Sequence, residues 1–123
     1  MIALDTNACA RYLDGLSDRV SDIVDAAIDR GEAYLPPVAL TELLSNPALQ
    51  DEARLVIRAL PLLSIRRGYW ERAGALRADL KRHAHKAKIA DVLIAQSCID
   101  HGIPLITYDR DFRHFQRAGL QLL

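Results

Sequence analysis

Ile2, Ala3 and Leu4 form the run that most narrows the choice of fold. It is too short for a helix, and it lacks the alternation of a strand with one wet face. It therefore reads as a strand buried on both faces, and such strands belong to parallel sheets covered by helices. Similar short apolar runs recur at Ala33 to Leu35, Leu62 to Ile65 and Leu105 to Ile106, with Leu120 to Leu123 as a final edge strand. Helical periodicity fills the intervals. Val20, Ile23, Val24, Ala27 and Ile28 mark the buried stripe of a helix over Ser17 to Arg30. Pro37 or Val38 opens a short apolar helix, and further helices are expected over Ala48 to Leu60 and Gly68 to Arg82. From Lys88 to Phe112 the chain reads as helix, stop at Gly102 and Pro104, buried strand, then an acidic loop. A last short helix follows from Phe112, Phe115 and Ala118. The alternation predicts an α/β domain of three α/β/α layers with a mainly parallel central sheet.

At 123 residues the chain is expected to form one domain, residues 1–123. Sixteen basic residues balance sixteen acidic ones. A formal net charge of zero argues against bulk electrostatic binding to nucleic acid but leaves room for a local basic groove. Cys9 and Cys98 have no metal-ligand spacing and read as reduced core residues. No leader peptide or membrane span is visible, so a cytoplasmic protein is expected.

Acids stand at telling places. Asp5 follows the first strand and Asp109 follows the Leu105 strand. Asp91 heads a helix and shares an apolar arc with Ile94, Ala95 and Cys98, where a carboxylate is costly unless paired or metal-bound. Glu42 lies toward the apolar arc of its short helix. Each has an ordinary explanation: a helix cap for Asp5, the helix dipole for Asp91, a solvated face for Glu42. In parallel α/β sheets, however, the functional crevice lies beyond the carboxyl ends of the strands, and all four acids can reach that edge. Carboxylates without partner cysteines or spaced histidines suit hard divalent cations such as Mg²⁺. The matching chemistry is metal-assisted phosphodiester hydrolysis. Lys81, Arg82, Lys86 and Lys88, with His83 and His85, crowd the loop before Asp91. That run is either a solvated face or a place for phosphates.

The segments IALDTNACARYLDG, YLPPVALTELLSN and ADVLIAQSCIDHGIPLITYDRDF resemble, in order, the acidic motifs of PIN-domain ribonucleases. More narrowly the chain is similar to VapC-type toxins of toxin–antitoxin pairs. The resemblance covers nearly the full length, though its second motif is little more than a Glu on an apolar helix. It implies a PIN-like fold in which Asp5, Glu42, Asp91 and Asp109 hold Mg²⁺ or Mn²⁺. Asn7 and Thr107 match small polar positions lining such sites, and Asp111 stands just behind. It also implies single-stranded RNA as substrate, a homodimer, and an antitoxin whose tail covers the site. Tyr69 and Trp70 are the surplus aromatics expected to serve the dimer. Ala8 departs from the larger apolar residue common at its position, and residues 50–88 match no motif. Other readings are an RNA-processing nuclease that is not a toxin, a phosphoacceptor receiver domain, and a non-catalytic protein-binding module. A receiver would need a pair of acids after the first strand, where only Asp5 stands.

Overall fold

A computed structural model describes the whole chain, Met1–Leu123. β1 (Ile2–Leu4) is the middle strand of a three-stranded sheet in the order β2-β1-β3, with β2 at Ala33–Tyr34 and β3 at Leu105–Ile106. Both pairings are parallel: Ile2 sits opposite Ala33, and Leu4 opposite Ile106. The interior position expected of Ile2 to Leu4 is thus borne out, and Ala3 and Leu4 are wholly buried. Because β2 and β3 lie on opposite sides of β1, the order of strands reverses there. The carboxyl end of β1 is the natural opening for a site.

The helices are α1 (Thr6–Leu13), α2 (Arg19–Asp29), α3 (Pro37–Leu44), α4 (Asp51–Ala59), α5 (Tyr69–Arg82) and α6 (Ile89–His101). Asp18 caps α2 through the backbone N–H of Ser21. Gly102 ends α6 in the left-handed region at φ 60°, where glycine carries no Cβ penalty. α6 packs on α5, on α3 and on a closing 3-10 helix, Arg110–Ala118. Phe112 and Phe115 are buried on that last helix, and their spacing of three matches the 3-10 repeat better than the α repeat.

Two expected strands shrink to single bridges. Leu62 pairs with Leu35, and Leu122 with Leu105, both in parallel sense. Pro61 and the charged Arg66 and Arg67 limit the first run, leaving Leu62 and Ile65 exposed. Tyr69, expected at a dimer face, is a core residue whose hydroxyl donates to Leu93 O at 2.7 Å. Trp70 is 59% exposed. Cys9 and Cys98 are buried free thiols, each pushed up to about 12 by burial.

Fully buried alanines bring the site together. Ala8 on α1, Ala39 on α3 and Ala95 on α6 have no exposed surface. Each stands one helical turn from an acid: Asp5, Glu42 and Asp91 respectively. A methyl at these positions allows backbones to approach closely, which gives the small Ala8 a packing reason.

Candidate active site

Asp5 leaves β1 at the point where strand order reverses, and only 4% of it is exposed. Its Oδ1 accepts from the Thr6 N–H at 2.8 Å, and its Oδ2 accepts from the Thr107 hydroxyl at 2.6 Å. So it is a helix-capping residue that also reaches across the sheet edge to the loop after β3. Thr107 Oγ1 in turn accepts from the Asp109 N–H at 3.0 Å. One hydroxyl thereby fixes two acids relative to each other. Asp109 Oδ1 accepts from the Asp111 N–H at 2.8 Å. Asp111 touches the group through its backbone N–H.

Glu42 is exposed, contrary to the expectation from its apolar helix, because Ala39 and Leu43 occupy the buried face of α3. Its Oε1 accepts from the Thr6 hydroxyl at 2.6 Å, which draws it to the start of α1. Asp91, half-buried in the first turn of α6, makes no hydrogen bond and no ion pair. Burial pushes its carboxyl up to about 6; the charges of Asp5, Asp109 and Glu42 add to the rise, and Lys88 opposes it. Burial also raises Asp5, against the lowering pull of Thr107 and Thr6, with Glu42 and Asp109 adding to the rise. The acids of four separate segments therefore feel one another's charge at the carboxyl edge of the sheet.

No three His, Cys, Asp or Glu side chains form a ready-made metal cage. A closed zinc-like site does not fit this arrangement. A hard ion that keeps several waters and takes few direct carboxylates does. Oxygens without a protein partner remain on Asp91 (both), Asp109 and Glu42.

Asn7 is exposed on α1 and makes no side-chain hydrogen bond. The basic loop does not act as a unit. Lys88 stands next to Asp91 and moderates its charge. Arg82 pairs with Asp79 at 3.6 Å. Lys81 and Lys86 are exposed and unpaired. His83 caps α5, and His85 stacks on His114 with ring centroids 4.0 Å apart. Sequence reasoning missed the Thr6 link to Glu42 and the Arg11 guanidinium 4.3 Å above the Tyr108 ring. Helical spacing held a clue to the second, since Arg11 follows Asn7 by four.

Residues 2–118 match the PIN domain family. In fold the chain is similar to VapBC2 from Rickettsia felis bound to a DNA fragment from its promoter. The TM-score is 0.77 at 20% identity, over 100% of this chain and 98% of that one. It is similar also to DNA-bound VapBC from Salmonella typhimurium, with TM-score 0.75, 22% identity, and coverage of 100% and 98%. FitAcB from Neisseria gonorrhoeae matches with TM-score 0.73, 22% identity, and coverage of 100% and 96%. No curated protein matches the sequence. A family match spanning both strand-end acids and the two helices that bring Glu42 and Asp91 to them leads to one assignment: the chain belongs to the PIN domain family.

Proposed function

We propose that the chain is a Mg²⁺- or Mn²⁺-dependent endoribonuclease that hydrolyses phosphodiester bonds of single-stranded RNA, and that it is the VapC-type toxin of a toxin–antitoxin pair. The observation that carries this reading is Asp91: a half-buried carboxylate whose charged neighbours are mostly other acids. A structural carboxylate would have a donor, and this one has none. Asp5, Glu42, Asp91 and Asp109 would hold the ion. When bound, such an ion supplies Lewis acidity, acidifying a water and offsetting charge on phosphate oxygens. The chain's own part is orientation. Thr107 fixes Asp5 Oδ2, Thr6 fixes Glu42 Oε1, and the Asp111 N–H fixes Asp109 Oδ1. Glu42 and Asp109 each keep one oxygen without a protein partner and Asp91 keeps both, while both oxygens of Asp5 are engaged. Burial raises the Asp91 carboxyl to about 6, and a bound cation would lower it.

An antitoxin partner is supported by a groove of about 690 Å³ between α1, α3 and α4. Leu13, Leu43, Leu49 and Val56 line it, and Thr6 and Glu42 lie at its site end. An apolar tail laid in it would pass the acids. The complexes named above contain such partner proteins, which favours the same arrangement here. A homodimer is supported by Trp70, Leu62 and Ile65, exposed at 59%, 45% and 43%. No helix is long and apolar enough to cross a membrane.

The test is cleavage of single-stranded RNA by the purified chain with Mg²⁺, with Mn²⁺ and with EDTA, alongside Asp91→Asn. Metal-dependent cleavage that Asp91→Asn abolishes is expected. Equal cleavage by the variant, or cleavage in EDTA, would remove the assignment. Copurification with the product of a small reading frame directly upstream would decide the toxin reading.

A further inference from the structure

The arginines of this chain differ in how their donors are used; Arg19, Arg58 and Arg67 are exposed and unpaired at scattered places. Some are built into the fold: Arg72 donates to both oxygens of Asp100, Arg66 to the Asp100 carbonyl, and Arg77 to the Ala87 carbonyl. Arg11, Arg110 and Arg113 are exposed and make no hydrogen bond or ion pair. All three gather around one short segment, Tyr108–Asp109.

Arg11 is the best prepared. Its guanidinium carbon lies 4.3 Å from the centroid of the Tyr108 ring. The ring itself is anchored, since its hydroxyl donates to Asp18 Oδ2 while Asp18 Oδ1 caps α2. A guanidinium is thus placed over a fixed aromatic face with its N–H donors unspent, an arrangement in which Arg differs from Lys. Tyr108 sits between Thr107, which holds Asp5, and Asp109. Arg110 and Arg113 line a cleft of about 200 Å³ together with Thr107, Tyr108 and Asp109. Free cations therefore border the acids on the 3-10 helix side, where His114 stacks on His85 of the lysine-rich loop.

We propose that Arg11, laid on Tyr108, forms with Arg110 and Arg113 a phosphate track that grips the RNA backbone next to the phosphate presented to the acids. The inference rests on the nuclease reading and deepens it by naming positioning residues for the strand. Acidic carboxylates repel a polyanion, so cations beside them are what hold a strand at such a site. A guanidinium fork suits a phosphate better than a point charge does. A purely structural Arg11 would add a surface cation–π interaction and its charge near Asp18, neither of which an RNA measurement would sense.

The experiment measures binding, so it does not depend on turnover. In an Asp91→Asn background, a short fluorescent single-stranded RNA of mixed sequence is titrated at several salt concentrations. Arg11→Gln, Arg11→Lys and the double variant Arg110→Gln/Arg113→Gln are compared with Arg30→Gln. Arg30 caps α2 just before β2, at the amino edge of the sheet, and pairs with Glu32 at 3.2 Å, so its replacement removes one positive charge from the opposite side. Arg11→Gln is expected to weaken binding about tenfold and to lower the slope of log affinity against log salt by about 0.7, the share of one phosphate. Arg11→Lys should keep the slope yet bind more weakly than the parent, because the charge survives and the stacked fork does not. Arg30→Gln should match the parent. A thermal melt checks each fold, and exposed Arg11 gives no reason for a loss there. If Arg11→Gln and the double variant match Arg30→Gln in affinity and slope, the track is overturned. If the parent chain fails to cut RNA but the arginine-dependent slope is present, the nuclease reading fails while the track stands.

Discussion

Asp91 lies in the first turn of α6 and Asp100 in its last, and both are partly withdrawn from water. Asp100 is surrounded by donors. Arg72 reaches it with two N–H groups at 3.0 and 2.6 Å, and Gln96 with its amide at 2.8 Å. The guanidinium of Arg72 holds its carboxyl below the usual range, and Gln96 lowers it further. The supporting geometry is close enough that a Cβ on Gly68 would meet Arg72 Nη1 at 2.6 Å. Asp91 has no donor and three acidic neighbours, and its carboxyl rises to about 6. The same residue type on one helix thus acts as a fastening at one end and, at the other, as a carboxylate withdrawn from water among other acids. Burial is common to both acids; the donors are what separate them.

The largest effect that could break this comparison is on catalysis. Asp91→Asn is expected to reduce RNA cleavage by roughly 100-fold or more, since even outer partners of metal ligands are worth 10–100-fold. Asp100→Asn should cleave at close to the parent rate. Equal losses in two well-folded variants would erase the distinction. Asp91→Asn is also a cleaner probe than Asp5→Asn. An amide at position 5 would turn an N–H₂ toward Thr107 Oγ1, which already accepts from Asp109.

Next in size is Thr107→Val, which keeps the shape and removes the hydroxyl that joins Asp5 to Asp109. A loss of roughly 10–100-fold in cleavage or Mn²⁺ affinity is expected. Thr107→Ser should recover most of it. Failure of the serine to rescue would mean that the methyl, not the hydroxyl, matters.

Thermal melts in EDTA should then reverse the ranking. Asp100→Asn gives up its charge-assisted bonds to Arg72 and is expected to lower Tm by on the order of 5 °C. Asp91→Asn relieves repulsion and should leave Tm unchanged or higher. A lower Tm for Asp91→Asn would show that this carboxylate has a fastening role after all.

Acid titration of metal-free stability sharpens the contrast further. The folded Asp91 carboxyl lies near 6 against an ordinary 3.8, so the native state binds its proton more tightly than the unfolded chain does. Its penalty is present above about pH 6 and is relieved as pH falls toward 4. Stability should therefore rise on acidification through that window. Asp5, also raised, acts in the same sense. Asp100 has the opposite sign: its support is present above the ordinary carboxylate range and is lost as pH falls through its lowered value. Asp91→Asn should reduce the slope between pH 4 and 6 without abolishing it, because Asp5 remains. An unchanged slope would contradict the raised value.

The smallest effect concerns the loop before α6. Lys81→Ala/Lys86→Ala should weaken RNA binding alike for all sequences and lower the salt slope by about 0.7 for each phosphate the loop no longer neutralises. No change would make that loop solvated surface and leave Lys88 as its only member near the acids.

Much of this was legible in the sequence. The unbroken run Ile2 to Leu4 announced an interior strand because it offers no wet face. Gly102 and Pro104 placed the turn into β3 because few other residues tolerate that backbone. Asp5, Asp91 and Asp109 stood out through their positions at strand ends and on an apolar arc. What stayed hidden depends on distant partners. Leu62 to Ile65 has strand composition but finds one bridge, and composition does not reveal how many neighbours a run will meet. Glu42 looked buried because its helix is apolar, yet the buried face is narrow and Glu42 sits beside it. The bond from Thr6 to Glu42 spans 36 residues, and no local pattern encodes it.

The hydrogen bond between Thr107 and Asp5 has a consequence in time. The two residues are 102 positions apart. On a ribosome, β1, α1 and α3 emerge long before β3 is made. Until then β1 lacks one flank, Asp5 Oδ2 lacks its donor, and neither Asp91 nor Asp109 is in place. Contacts this distant in sequence also form late in folding, since the chain must close a long loop first. The grouping of Asp5, Glu42, Asp91 and Asp109 therefore arrives only with the final strand.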